Sequence, residues 1–262
     1  MNAINRLELK ALFASQALDP EELPAHDMLD VVMSRRFGVE YQPIVDVQAC
    51  EVMGYQASAR FWNAEQQALD AGRMFASLHR NPLLLFYTEL EMKRLQITQA
   101  PSQGWLMLDL DIDSFFEGGD HLDNPFLQLF KTHAWTEREL LVNIVENHNL
   151  ADAQRSQRMI ELLQQSGTSV ALEDVGVRWG MFSLSAFMDA TVIKFNGQQL
   201  RSMNENAAQA MVDWLVSAAR RIGVHVIMSG IDSCEEFEWA KRFGVDYVQG
   251  GLFAKQEITA KL

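Results

Sequence analysis

Polar side chains recur at the ends of apolar, extended runs in this chain. Gln56 and Arg60 close "EVMGYQASARF", Asp109 and Asp111 close "GWLMLDLDI", and Asn143 and Glu146 close "ELLVNIVE". Glu173 and Asp174 close "TSVALED", while Lys194, Ser229 and Gln249 lie in "ATVIKF", "GVHVIMSG" and "VDYVQGG". Such surroundings suit a catalytic carboxylate, yet "GYQASARF" supplies an amide, Gln56, and a cation, Arg60, four residues on. A purely structural fold has no need of polar groups at nearly every strand end. Strand ends also meet solvent, however, and are polar on that account alone.

The elements that must hold these residues follow from the patterning. The runs "FGVEYQPIVDV" and "EVMGYQASARF" are joined near "QACE" by a turn too short for a parallel crossover, so they pair antiparallel. From the second run onward each strand is followed by helix-like sequence. "DAQRSQRMIELLQQSG" ends on a C-capping glycine, and "ENAAQAMVDWLVSAARRIG" does the same. About eight buried strands alternating with amphipathic helices predict an α/β fold. The expected form is a TIM-like (β/α)8 barrel with an antiparallel first strand pair plus N-terminal helices. In such barrels the strands' C-terminal ends carry the active site.

Residues 1–36 read as an N-terminal helical segment, either a cap on the barrel or an interaction appendage, and residues 37–262 as the barrel domain. "MNAINRLELKALFASQ" has the pattern of an amphipathic helix and lacks the apolar core of a signal peptide. A second helix is expected over about 27 to 36. The 262 residues carry a formal charge of −13, which argues against DNA, RNA or a membrane surface as a general partner. No apolar window is long enough to span a bilayer. Two cysteines, Cys50 and Cys234, without metal or redox spacing fit a cytoplasmic setting. The histidines are scattered without ligand spacing, and "TELEMKRL" is expected to be a solvated helix face.

Several ordered motifs resemble the EAL domain family, phosphodiesterases that open the bacterial second messenger cyclic di-GMP. They are "YQPIVDVQACEVMGYQASARF", "VALEDVG", "VIKFN" and "FGVDYVQGGLFAKQ", and the resemblance runs from about 38 to 256. It implies two divalent cations that activate a water and hold the scissile phosphate. By that resemblance Gln56 stands at the signature glutamate, Asp109 at a liganding asparagine, Asn143 at a glutamate and Ser229 at another. Glu146 is kept, Glu173 and Asp174 take the place of an aspartate pair, and Lys194 and Gln249 are kept. Gln56, Asn143 and Ser229 each remove one negative charge and Asp109 restores one, so the implied site is about two charges poorer.

The expectation that follows is no catalytic residue, no resident metal and no enzyme. The chain would be a degenerate, non-catalytic regulatory protein acting through a protein partner, in motility or biofilm type control. A cyclic di-GMP receptor without hydrolysis and a weak phosphodiesterase, needing Mg²⁺ or Mn²⁺, are the alternatives. Ligand-binding candidates are Gln42, Arg60, Asp109, Asp174, Lys194 and Gln249. Asp174 and Lys194 could equally form a structural ion pair. Arg178, Trp179, Met181 and Phe182 are candidates for partner contact, or else an ordinary loop over the barrel mouth. A homodimer is a further candidate assembly.

Overall fold

The computed structural model describes residues 23–102, 104–132, 138–144, 150–173, 184–201 and 204–261. The helix expected within residues 1–16 lies outside them. The second expected helix is α1, Ala25–Met33, which buries Met28, Val31 and Val32. Two long strands follow, β1 (Phe37–Asp46) and β2 (Val52–Trp62), paired antiparallel with Gln42 opposite Gln56.

The remaining barrel strands are β4 (Gly104–Leu110), β5 (Arg138–Ile144), β6 (Ser169–Leu172), β7 (Val192–Asn196), β8 (His225–Ser229) and β9 (Tyr247–Gln249). They run parallel to one another and to β2. Because β1 pairs with both β2 and β9, the sheet closes on itself as a mixed eight-stranded barrel. Two short strands add to the expected set. β3, Ala68–Leu69, extends the end of β2, and β10, Ile258–Lys261, pairs with β1 over Gly38–Tyr41, beyond the part that β9 occupies.

The helices around the barrel start and stop where their sequences say. Asp70 caps α2 (Ala71–Leu78), and Asn81 caps α3 (Pro82–Thr98), whose first residue is the proline that suits that position. Helices α4 (Ile112–Glu117), α5 (Pro125–Thr132), α6 (Leu150–Gln165), α7 (Leu184–Asp189) and α8 (Gly197–Arg201) follow. α9 (Glu205–Ile222) ends at Gly223 with φ +78°, and α10 (Cys234–Phe243) opens with the Ser233–Glu236 capping box. No described helix is long and apolar enough to cross a membrane.

The solvated face expected for "TELEMKRL" is corrected. Thr88, Glu89, Met92, Lys93 and Leu95 are buried, because α3 is wedged between β1, β4 and the surrounding helices. Glu89 and Lys93, one helical turn apart, face each other at 3.1 Å and are 3% exposed each at the side chain. This pairing is what makes burial of two charged side chains tolerable.

Strand alternation then decides the interior. Ile44, Trp105, Met107, Leu141, Ala171, Val192, Ile227 and Tyr247 point inward and fill the barrel as a cluster of their own. Trp105 packs edge-on against Tyr247, ring centroids 4.8 Å apart. Gly54 lets the Trp105 backbone come close: a Cβ there would lie 2.5 Å from both the Cβ and the carbonyl oxygen of Trp105.

Candidate functional site

Two residues beyond that apolar layer, the period of two brings the next inward side chain of each strand to the barrel mouth. Those side chains are Gln42, Gln56, Asp109, Asn143, Glu173, Lys194, Ser229 and Gln249. The polar strand ends are therefore one layer stacked on an apolar one. Leu106 and Leu108 of β4, facing the other way, belong to the outer core under the helices.

Five of these residues form a closed hydrogen-bonded ring. Gln56 Nε2 and Asn143 Nδ2 both donate to Asp109 Oδ1, each at 2.7 Å. Asn143 Nδ2 spends its other hydrogen on Glu173 Oε2. Lys194 Nζ donates to Glu173 Oε1 at 2.6 Å and to Gln56 Oε1 at 2.7 Å, which closes the circuit. Gln56, Asn143 and Lys194 are all buried. Burial first, and the nearby Glu173 carboxylate second, push the Asp109 carboxyl above its ordinary range, with Lys194 pulling the other way. Asp109 thus holds a proton more readily than an exposed aspartate does.

Arg60 does not reach into this ring. Its guanidinium clasps Glu40, with Nε donating to Oε2 at 3.2 Å and Nη2 donating to Oε1. Gln42 Nε2 also donates to Glu40 Oε1, at 3.2 Å. Glu40 was not among the candidate residues. Its signal was its place two residues before Gln42 on the same face of the same strand. Ser229 Oγ donates to the Phe195 carbonyl at 3.2 Å, and Gln249 Nε2 is buried without a partner among the described residues. Glu146, Asp174, Arg178, Trp179, Met181 and Phe182 lie outside the described residues. Lys194 is paired with Glu173, and its pairing with Asp174 is outside what is described.

Whether this mouth suits a divalent cation can be tested at one atom. Asn143 Oδ1 is buried and has no hydrogen-bond partner among the described residues, while its Nδ2 faces the two carboxylates. With the amide turned over, Asn143 Oδ1 would stand between Asp109 and Glu173, and these three oxygens are the donor set that a hard cation takes. In that arrangement Asp109, Asn143 and Glu173 would hold one such ion.

A second group lies outside the ring. His79, at the end of α2, meets Asp111 and Asp113, with one ligand atom from each within 4.8 Å of the others. The separation of 79 from 111 and 113 in the sequence gave no ligand spacing, so only the fold reveals it.

These features define a (β/α)8 barrel with a polar, carboxylate- and amide-lined mouth. The EAL domain model matches residues 26–256, and the chain belongs to this family. Among its relatives is Escherichia coli "Probable cyclic di-GMP phosphodiesterase PdeB", 20% identical over 253 residues, 94% of this chain and 48% of that protein. The chain thus spans about half the length of that curated relative. The Pseudomonas aeruginosa MucR phosphodiesterase in complex with c-di-GMP superposes with a TM-score of 0.70 at 19% identity, covering 87% of this chain and 94% of that one. The Bacillus subtilis YkuI protein, with an EAL domain, in complex with substrate c-di-GMP and calcium, gives 0.72 at 18% identity, covering 92% and 58%.

The expectation that the chain is not an enzyme is corrected by these findings. The relatives carry phosphodiesterase names, and the described residues include a group able to hold a metal ion. The charge count that led to the expectation weighed only residues aligned with family motifs. It did not see the unpartnered Asn143 oxygen.

Proposed function

We propose that this chain binds cyclic di-GMP at its barrel mouth, hydrolyses it slowly, and so acts in cyclic di-GMP signalling. The observation that carries this reading is the closed ring of Gln56, Asp109, Asn143, Glu173 and Lys194, in which Asn143 Oδ1 has no partner among the described residues. A divalent cation bound there supplies polarisation of the phosphate and a more acidic water. The chain's own residues do the rest. Lys194 Nζ offers a positive charge at the level where a phosphodiester enters. Arg60, released from Glu40, pairs with a phosphate in forked geometry. Amides at Gln56 and Asn143, in place of carboxylates, hold a cation less tightly, which is why turnover is slow. Chromatographic separation of cyclic from linear dinucleotide, with Mg²⁺ or Mn²⁺ and with EDTA, tests it. No metal-dependent linear product, and no heat on nucleotide titration at about 100 μM, would refute it.

A second reading, regulation through a protein partner, is favoured by α7. Leu184 and Met188, four residues apart and so on one face, are each 61% exposed directly after residues 174–183. Replacing both with glutamate should abolish co-purification of a specific partner. Unchanged capture would remove this reading.

A further inference from the structure

We infer that Glu40 is a built-in competitor for phosphate: its carboxylate fills the anion-binding fork of Arg60 and Gln42, and so sets how tightly this chain takes a nucleotide. The inference rests on the reading that cyclic di-GMP binds at the barrel mouth, and adds what holds that binding back.

The period of two along β1 and β2 carries the inward face outward past the hydrogen-bonded ring. Beyond Gln42 on β1 the next residue on that face is Glu40, and beyond Gln56 on β2 come Ser58 and Arg60. Glu40 pairs with Ser58 on one side and with Thr259 of β10 on the other. Its backbone is therefore held by two strands, and the place of its carboxylate is set by the sheet rather than by a loop.

Three donors converge on that carboxylate. Arg60 Nε donates to Oε2 at 3.2 Å and Arg60 Nη2 donates to Oε1, while Gln42 Nε2 donates to Oε1 at 3.2 Å. Arg60 Nη1 turns back to the Ala59 carbonyl at 3.2 Å, which orients the guanidinium. Two oxygens on one central atom, gripped by the guanidinium fork, are what arginine takes from a phosphate as well as from a carboxylate. Glu40 thus stands where two oxygens of a phosphodiester would stand. The pair keeps contact with solvent, the side chains being 34% exposed at Arg60 and 20% at Glu40, so a ligand can displace it.

A site that is open for a fraction of the time binds with its affinity reduced by that fraction. A clasp closed about nine-tenths of the time weakens nucleotide binding about tenfold. Once displaced, the Glu40 carboxylate lies near the bound phosphate and repels it, which acts in the same direction.

Calorimetric titration of the full chain with cyclic di-GMP, in EDTA and again with Ca²⁺, tests this on the parent, Glu40→Gln, Arg60→Ala and the double variant. Affinity about tenfold tighter in Glu40→Gln is expected, with no such gain where Arg60 is already alanine. Glu40→Ala, which removes the accepting oxygens altogether, is the second variant. The Arg60 Nε–H resonance, followed by NMR, reads the clasp without nucleotide: inorganic phosphate should shift it at about tenfold lower concentration in Glu40→Gln than in the parent. Equal nucleotide affinity in the parent and both Glu40 variants overturns the clasp and leaves nucleotide binding standing. The same gain with and without Arg60 does so too. No nucleotide heat in any variant, with the phosphate shift as expected, removes cyclic di-GMP binding and leaves the clasp standing. Absence of both overturns the clasp as well.

Discussion

Replacing Lys194 with methionine removes the only cation of the mouth ring while keeping its bulk. The structure sets the size of the effect. Two hydrogen bonds to the ammonium disappear, at 2.6 Å to Glu173 and 2.7 Å to Gln56. Asp109 and Glu173 with Lys194 carry two negative charges and one positive, a net of −1. Without the lysine the net is −2, in a ring whose members are mostly buried. Breaking a buried ion pair by removing one partner costs about 3 to 5 kcal/mol. Glu173 keeps some solvent contact, with its side chain 19% exposed, so the lower end, about 3 kcal/mol, applies. In a chain of this size that is a fall in Tm of roughly 6 to 12 °C. Urea denaturation followed by circular dichroism at about pH 7 measures it. Glu173→Gln in the Lys194→Met background should recover part of the loss, giving a coupling of about 1 kcal/mol or more. A cost below about 1 kcal/mol for Lys194→Met would refute the ring as a stabilising, charge-balanced unit. So would strict additivity of the two changes.

Other consequences can be checked together. Gln56→Glu restores a carboxylate beside Asp109 and Lys194, and should raise Mn²⁺-dependent turnover by about tenfold while lowering stability in EDTA. Asp109 has a folded pKa above its ordinary 3.8, so its charged form opposes folding above the folded pKa, and that penalty fades as pH falls toward 3.8. Asp109→Asn should therefore gain stability over the parent near neutral pH and lose that advantage in acid. His79 has the opposite sign: Asp111 holds its pKa above 6.5, giving stability that is full below about pH 6.5 and lost as pH rises through the folded value. In EDTA, His79→Ala should cost more at about pH 6 than at about pH 9 by urea denaturation. Gly54→Ala should destabilise by about 2 to 3 kcal/mol, since its Cβ would meet the Trp105 backbone rather than a movable side chain.

Much of this architecture was legible along the chain because it rests on local rules. The short turn near Cys50 dictates the antiparallel β1–β2 pair, and Gly223 and Ser233 mark the helix boundaries beside them. The mouth residues were visible as polar positions closing apolar runs, since alternation in a strand survives in the sequence. Their pairing was not. The ring joins residues from 56 to 194, and Arg60 turned to Glu40, twenty positions away on the neighbouring strand. "TELEMKRL" misled because a buried i, i+4 ion pair reads like an exposed one. His79 reaches Asp111 only because α2 ends beside the β4–α4 turn, a contact that no spacing rule encodes.

The most direct test of the central claim is the product analysis of cyclic di-GMP incubated with the chain and Mn²⁺, for the parent and for Asp109→Ala. Slow, EDTA-sensitive appearance of the linear dinucleotide with the parent, reduced by at least about tenfold in the variant, is the predicted result. No product above the protein-free rate, or equal product from the variant, would contradict a mouth that acts on this nucleotide.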